Sequence, residues 1–234
     1  MRMAIKFVLL NLVLLVSFSS SALADKYQID AEHSTIEFKI RHLVSKVRGK
    51  FDRYQGSFDY NSEKPQDAKF DLKIDAASIN TANDGRDKHL RGEDFFDAER
   101  FKEITFVSTK VEAVSKEKIQ VHGNLTIKGK TCPIVIETIL GGEVKDPWGN
   151  TKAGFEGTTK INRLAHNIIW NKALVGDKLP EYTKFKDSCE FNQNMTKEND
   201  GAGLTLGTVV EIELHIEAEN LTKKPVTTPG PPVK

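Results

Sequence analysis

The side chains best suited to chemistry are concentrated in one charged segment, between Asn83 and Phe96. The ionisable candidates in this segment are Arg86, Asp87, His89, Arg91 and Asp94. A histidine next to a carboxylate can transfer protons as a general acid or base. Pairing between arginine and aspartate could equally hold the segment in place as a structural element. We favour the structural interpretation, and both stay open at this stage.

A second candidate, His42, ends a run in which Ile36, Phe38 and Ile40 alternate with charged residues. Successive side chains of a strand point to opposite faces, so we expect His42 to share the buried face of these three residues. A histidine there is either a hydrogen-bonded core residue or a contact for the polar head of a ligand.

Catalytic signatures are missing from the sequence. It contains no GxSxG, HExxH or paired-carboxylate motif. Four of its histidines are scattered rather than placed at the spacing of metal ligands, namely His33, His42, His89 and His122. We therefore predict a protein that is not an enzyme and has no metal site. An enzyme using His42, His89 and Asp87 is the weaker alternative.

The elements that must position these residues are strands, because apolar and polar residues alternate with period two through most of the chain. The apolar phase includes Phe38, Ile40, Phe70, Leu72, Ile74, Leu125, Ile127, Ile212 and Leu214. Turn signals occur at 61–65, 128–130, 141–142 and 147–150. Many strands with one dry face each predict an all-β sandwich or closed barrel.

The charged segment interrupts this alternation and predicts a short helix. Asp84 is a candidate cap, and Asp87 in the first turn would favour the helix dipole. Phe95 and Phe96 follow directly, so we predict that the segment is a plug that packs against one end of the barrel.

The two ends of the chain differ from its body. Residues 1–24 combine basic Arg2 and Lys6 with an apolar run and a small-x-small site ending at Ala24, the pattern of a secretory signal peptide. A retained anchor is the alternative, but the run is shorter than the roughly 20 residues of a spanning helix. Residues 221–234 form a proline-rich tail, which leaves 25–220 as the folded domain, with a long irregular loop at about 174–203.

Composition limits the remaining classes. With 234 residues, 38% of them hydrophobic, and a formal net charge of +1, the chain is typical of a globular protein and unlike a general nucleic-acid binder. The two cysteines, Cys132 and Cys189, are 57 positions apart. We predict a disulfide between them, which is allowed in an exported chain and would tie the long loop to the strand after Cys132, although its geometry cannot be read from the sequence.

Several short motifs, in order, resemble the YceI-like, polyisoprenoid-binding family over almost the whole chain after residue 24. They are the residues at 33–38, 41–43, 47–51, 77–81, 86–91, 94–97, 104–108, 123–129 and 161–163, and the last strand at 209–218. The resemblance implies a lipocalin-like antiparallel barrel of eight strands with a short helical plug, exported to the bacterial periplasm. In relatives this barrel encloses an isoprenoid lipid or a similar long amphiphile. The long loop and both cysteines depart from the family pattern.

The resemblance and the strand pattern together predict which residues contact a ligand. They are Phe38, Ile40, His42, Phe51, Phe70, Leu72, Ile74, Arg86, His89, Arg91, Phe95, Phe96, Leu125, Ile127, Ile212 and Leu214. Arg86 or Arg91 could contact a phosphate or a quinone oxygen, and the apolar residues could instead simply fill the core. The expected partner is an amphiphilic lipid such as an isoprenoid or quinone, with no other cofactor. A stress-related scaffold that binds a protein through its long loop, and a homodimer, remain alternatives.

Overall fold

The computed structural model describes residues 24–170, 189 and 206–223. Its strands are β1 (Asp25–Ile29), β2 (Thr35–His42), β3 (Ser45–Phe51), β4 (Tyr54–Tyr60), β5 (Lys69–Asp75), β6 (Ile79–Asn80), β7 (Glu103–Ala113), β8 (Lys118–Ile127), β9 (Lys130–Lys145), β10 (Thr151–Asn162) and β11 (Leu206–Asn220). The helix α1 spans Asp84–Arg91, and short 3-10 turns lie at Pro65–Asp67, Ala76–Ser78 and Arg163–His166. The predicted signal peptide, the long loop apart from Cys189, and most of the tail lie outside the described residues.

In the described part of the chain these strands form a closed antiparallel barrel with eight strand positions. Three of these positions each consist of two strand segments that follow one another along the barrel wall. The pairs of segments are β1 with β2, β3 with β4, and β5 with β6. The remaining positions are β7 to β11 in chain order. The predicted lipocalin-like, eight-stranded all-β fold is therefore confirmed.

The barrel closes at β11, whose second edge pairs with both segments of the first strand position. Ala218 pairs with Ile29 on β1, and Leu214 pairs with Ile36 on β2. Between them the chain bulges away, and the Ser34 hydroxyl both donates to the Glu217 carbonyl at 3.1 Å and accepts from the Glu217 amide at 2.9 Å. Closure pairs the last strand position with the first, so neither is left as a free edge of the sheet.

The predicted apolar phase faces the barrel interior. On β8, for example, Ile119, Val121, Leu125 and Ile127 are buried, and the polar residues between them are more exposed. One predicted turn is wrong, because β9 continues through Gly141 and Gly142. Gly142 adopts a positive φ of 82° and the register with β10 shifts there, so the two glycines form a bulge.

The interior divides into two unlike halves. One end is filled by aromatic rings, with Phe58 stacked on Tyr27 at 5.2 Å and in edge contact with Phe155 at 5.0 Å. The other half is lined mainly by aliphatic side chains and lies under α1. None of the helices among the described residues is long and apolar enough to cross a membrane.

Burial of Tyr27 at the aromatic end predicts a loss of stability in alkali. This side chain is fully buried, and burial raises its pKa from 10.0 to about 12. The neutral phenol therefore stabilises the fold fully below pH 10, and this contribution falls by about 1.4 kcal/mol per pH unit as the pH rises from 10 to 12. Urea unfolding of Tyr27→Phe should show a shallower loss over this interval than the wild type. Parallel curves for the two proteins would contradict the assignment.

Candidate functional site

The aliphatic half of the barrel contains a cavity of about 250 Å3. Among the described residues, all but six of those lining it are apolar, and the six are Glu37, His42, Thr159, Arg86, His89 and Arg163. Arg86 and His89 are exposed on α1, whereas His42 and Val47 are half-buried on β2 and β3. The cavity therefore reaches the surface between α1 and the β2–β3 hairpin, and three of its six polar residues, His42, Arg86 and His89, lie on the elements that frame this mouth.

Most residues predicted to contact a ligand do border this cavity. They are Phe38, Ile40, His42, Phe51, Leu72, Ile74, Arg86, His89, Phe95, Phe96, Leu125, Ile127, Ile212 and Leu214. Two predicted residues do not. Phe70 lies farther along the barrel, against Phe58 and Phe155 of the aromatic end. Arg91 donates to the backbone carbonyls of Ala77 and Ile79 at 2.8 and 3.0 Å, so its guanidinium ties α1 to the barrel wall.

Helix α1 is held over the cavity by contacts with Thr81. Asp87, which is buried, accepts hydrogen bonds from the Thr81 amide at 2.9 Å and hydroxyl at 2.5 Å. The Arg86 guanidinium donates to the Thr81 hydroxyl and carbonyl oxygens at 2.7 and 2.8 Å. The expected arginine–aspartate pairing is thus replaced by four hydrogen bonds to one threonine, two from each side chain. The predicted cap is also wrong, because Asn83, not Asp84, accepts the Arg86 amide hydrogen bond.

The proposed acid–base set is not assembled as a unit. His89 pairs with Asp94 at 3.0 Å on the exposed side of α1, while Asp87 is bound to Thr81. The His89 ring instead takes part in an aromatic cluster with Phe95 and Trp170, at centroid distances of 5.0 and 5.3 Å. This cluster packs beside the cavity mouth and covers its apolar lining.

Arg163 is a site residue that the strand pattern could not identify. It is 2% exposed and follows β10 in a 3-10 turn. Its guanidinium donates to the carbonyls of Gly207 at 2.7 Å, Ile168 at 2.5 Å and Trp170 at 2.9 Å. A planar group with five donors can bridge strands in this way. Arg163 therefore links two stretches of the chain beside the cavity, residues 168–170 and residues 206–207.

Near this turn, Cys132 and Cys189 are joined by a disulfide, with their Cα atoms 5.2 Å apart. Cys132 is buried at the start of β9, so the bond fixes Cys189 to the barrel wall.

His166 lies in the 3-10 turn that also contains Arg163, and it is 1% exposed. Its Nδ1 is 3.1 Å from the Lys130 carbonyl oxygen. Burial lowers the pKa of His166, which favours the neutral imidazole.

One group of potential metal ligands occurs among the described residues, and it lies at the bulge before β2. Asp30, His33 and Glu217 place their ligand atoms within 4.8 Å of one another. The Lys152 ammonium already lies 2.9 Å from Asp30 and 3.6 Å from Glu217. Its hydrogen bond is the main reason that the pKa of Asp30 falls to about 2. A lysine at this position supplies the positive charge that a cation would bring.

Replacing Arg163 tests whether its bridging geometry matters. We expect Arg163→Lys to lower the free energy of unfolding by about 3 kcal/mol, because one ammonium cannot reach both chain segments and buried carbonyls lose their donors. The matched control is Arg53→Lys at the exposed pair with Asp75, where a change below about 1 kcal/mol is expected. Both are measured by urea unfolding, and equal effects would contradict the bridging role.

Comparison with known proteins shows which family this barrel represents. The model of the YceI-like domain matches residues 27–218. A protein of Pseudomonas fluorescens described as a UPF0312 protein is 42% identical over 176 residues, covering 72% of this chain and 89% of that protein. A second UPF0312 protein, from Photorhabdus laumondii, is 42% identical over 166 residues, covering 70% and 84%.

Solved structures share the architecture. The YceI protein of Campylobacter jejuni is 29% identical with a TM-score of 0.56, covering 80% of this chain and 91% of that one. A domain of Saccharophagus degradans described as polyisoprenoid binding has a TM-score of 0.55 at 16% identity, covering 85% and 99%, which shows a common fold. The length of the domain match and the identity to these relatives show that the chain belongs to the YceI-like family.

Proposed function

We propose that this protein is an exported, non-enzymatic binding protein that holds an isoprenoid-type or similar long-chain lipid in its barrel. The observation that carries the proposal is the apolar cavity with His42, Arg86 and His89 at its mouth. An amphiphile needs this arrangement, because its tail is stabilised by a dry lining and its head by polar groups near solvent. The description of the Saccharophagus degradans domain supports an isoprenoid as the ligand class.

Hydrophobic transfer supplies the affinity. Each buried CH2 group contributes roughly 0.8 kcal/mol, so a branched chain can bind tightly without a charged contact. The head group then needs only weak orientation, which His42, Arg86 and His89 at the mouth are placed to provide. A quinone or a phosphorylated isoprenoid would use the same residues. A carrier, storage or shielding role fits this chemistry equally well.

The proposal includes export to the periplasm. The basic and apolar pattern of residues 1–24 supports this location. The Cys132–Cys189 disulfide supports it as well, since such bonds persist in oxidising compartments. The match to the YceI-like domain and the description of the Saccharophagus degradans domain as polyisoprenoid binding support a binding rather than a catalytic role.

Filling the cavity should weaken lipid binding. Val210 is half-buried on β11 and lines the cavity, so we expect Val210→Trp to occupy the space of the tail and weaken binding of geranylgeraniol at least tenfold. The control is Val107→Trp, since Val107 is 47% exposed on the outside of β7. Affinities are measured by calorimetric titration, with circular dichroism to confirm folding. Equal affinities of the two variants would contradict the cavity as the binding site.

Extraction of the purified protein tests the ligand class directly. We expect mass spectrometry of an organic extract to detect an isoprenoid or quinone with the wild type and with Val107→Trp, but not with Val210→Trp. An empty wild-type barrel that also takes up no geranylgeraniol would overturn the proposed function. A protein partner recovered by crosslinking, without any lipid, would favour the scaffold alternative.

Cleavage of the signal peptide gives a separate test of export. We expect the intact mass of protein recovered from the periplasm to correspond to a chain beginning at Asp25. The matched variant is Ala24→Arg, which removes the small residue before the cleavage point and should leave a longer chain. A wild-type protein that retains residues 1–24 and stays in the cytoplasm would contradict this part of the proposal.

A further inference from the structure

Behind the main cavity lies a second apolar space of about 80 Å3. In the described part of the chain, the side chains of Leu72, Phe106, Ile136 and Leu214 border both spaces. The partition between the two cavities is therefore one layer of side chains thick. The second space extends toward Phe58 and Phe155, so the two cavities follow one another from the mouth toward the aromatic end.

Glycines in the barrel wall fix the position of this partition. The Phe106 ring lies so close to Gly123 that a Cβ atom at Gly123 would be 2.4 Å from the ring carbon Cζ. Gly157, opposite Leu214 on β11, would place a Cβ atom 2.9 Å from Leu214 Cδ1 and 3.0 Å from Ile136 Cγ2. The partition side chains thus pack directly against backbone, which sets how far each one extends into the interior.

The volume of the main cavity makes the partition relevant to a ligand. Pockets that enclose drug-sized ligands span roughly 300–1,000 Å3, and the main cavity is smaller at about 250 Å3. A polyprenyl chain that enters from the mouth therefore meets the partition before many of its isoprene units are buried. Any further unit must either stay outside the barrel or displace Phe106.

We propose that the Phe106 partition sets the length of the isoprenoid chain that this barrel accepts, and that the space behind it is a latent subsite for one more terminal isoprene unit. This inference rests on the proposed function and makes it more specific. In the wild type, affinity rises with chain length until the tail reaches Phe106 and then stays constant. When the Phe106 ring is removed, the two spaces join and the next unit gains buried surface.

The test compares prenyl alcohols that differ by one isoprene unit, namely geraniol, farnesol, geranylgeraniol and geranylfarnesol. Their dissociation constants are measured with the wild type and with Phe106→Ala, using fluorescence of Trp170, which lines the cavity. We expect a plateau in the wild type, and in Phe106→Ala a plateau one unit later with at least tenfold tighter binding of that longer alcohol. Circular dichroism confirms folding, and Phe106→Leu serves if the alanine variant is unstable.

Two further variants separate the partition from general enlargement. Phe51→Ala removes a ring that contacts Phe96 and lines only the main cavity, so it should lower the affinity for every alcohol and leave the plateau at the wild-type length. Val121 lines only the second space, so adding Val121→Phe to Phe106→Ala should restore the wild-type plateau.

The outcomes distinguish this inference from the proposed function. If the wild type binds prenyl alcohols but its affinity rises through the whole series, or if Phe106→Ala keeps the wild-type plateau, the partition does not limit chain length. If no folded protein in the set binds any of the alcohols, the proposed function itself is overturned.

Discussion

Pairing of β11 with the first strand position is the interaction on which the site depends. Without the contacts of β11 to β1 and β2, the sheet would stay open and its apolar face would meet water. Closure turns that face into an interior, where the glycines at 123 and 157 let Phe106 and Leu214 pack directly against the backbone of the wall. Arg163 stabilises the same region because it binds the carbonyl of Gly207 at the start of β11.

The all-β class could be predicted from strand alternation because alternation is a local property, whereas the eight-stranded, lipocalin-like barrel was implied by the family resemblance. The inward phase of β5, β8 and β11 follows from residue type alone, since each has one dry and one wet face. The error at Gly141 and Gly142 has a physical cause. Two glycines favour a turn and a bulge equally well, and pairing of β9 with β10 on both sides of them selects the bulge.

The site was only partly predictable, because its decisive contacts join residues that are distant in the chain. Strand phase could place Ile40 and Leu214 in the interior, but it could not show that Arg91 turns away to the Ala77 carbonyl. Arg163 carries no periodic signal either, because its role comes from backbone carbonyls at Ile168 and Gly207. Such roles are fixed by tertiary geometry, which alternation does not encode.

The contrast between the two halves of the barrel explains why the cavity lies where it does. Aromatic rings such as Tyr27, Phe58 and Phe155 fill one end by edge and face contacts, which pack without large gaps. Aliphatic side chains of the other half are shorter and leave the centre open beneath α1. The barrel therefore has one end packed with aromatic rings, which leaves only the small second space, and one aliphatic half that contains the larger cavity. Phe106 lies at the boundary between them. Its ring packs the interior there and so fills space that would otherwise join the two cavities.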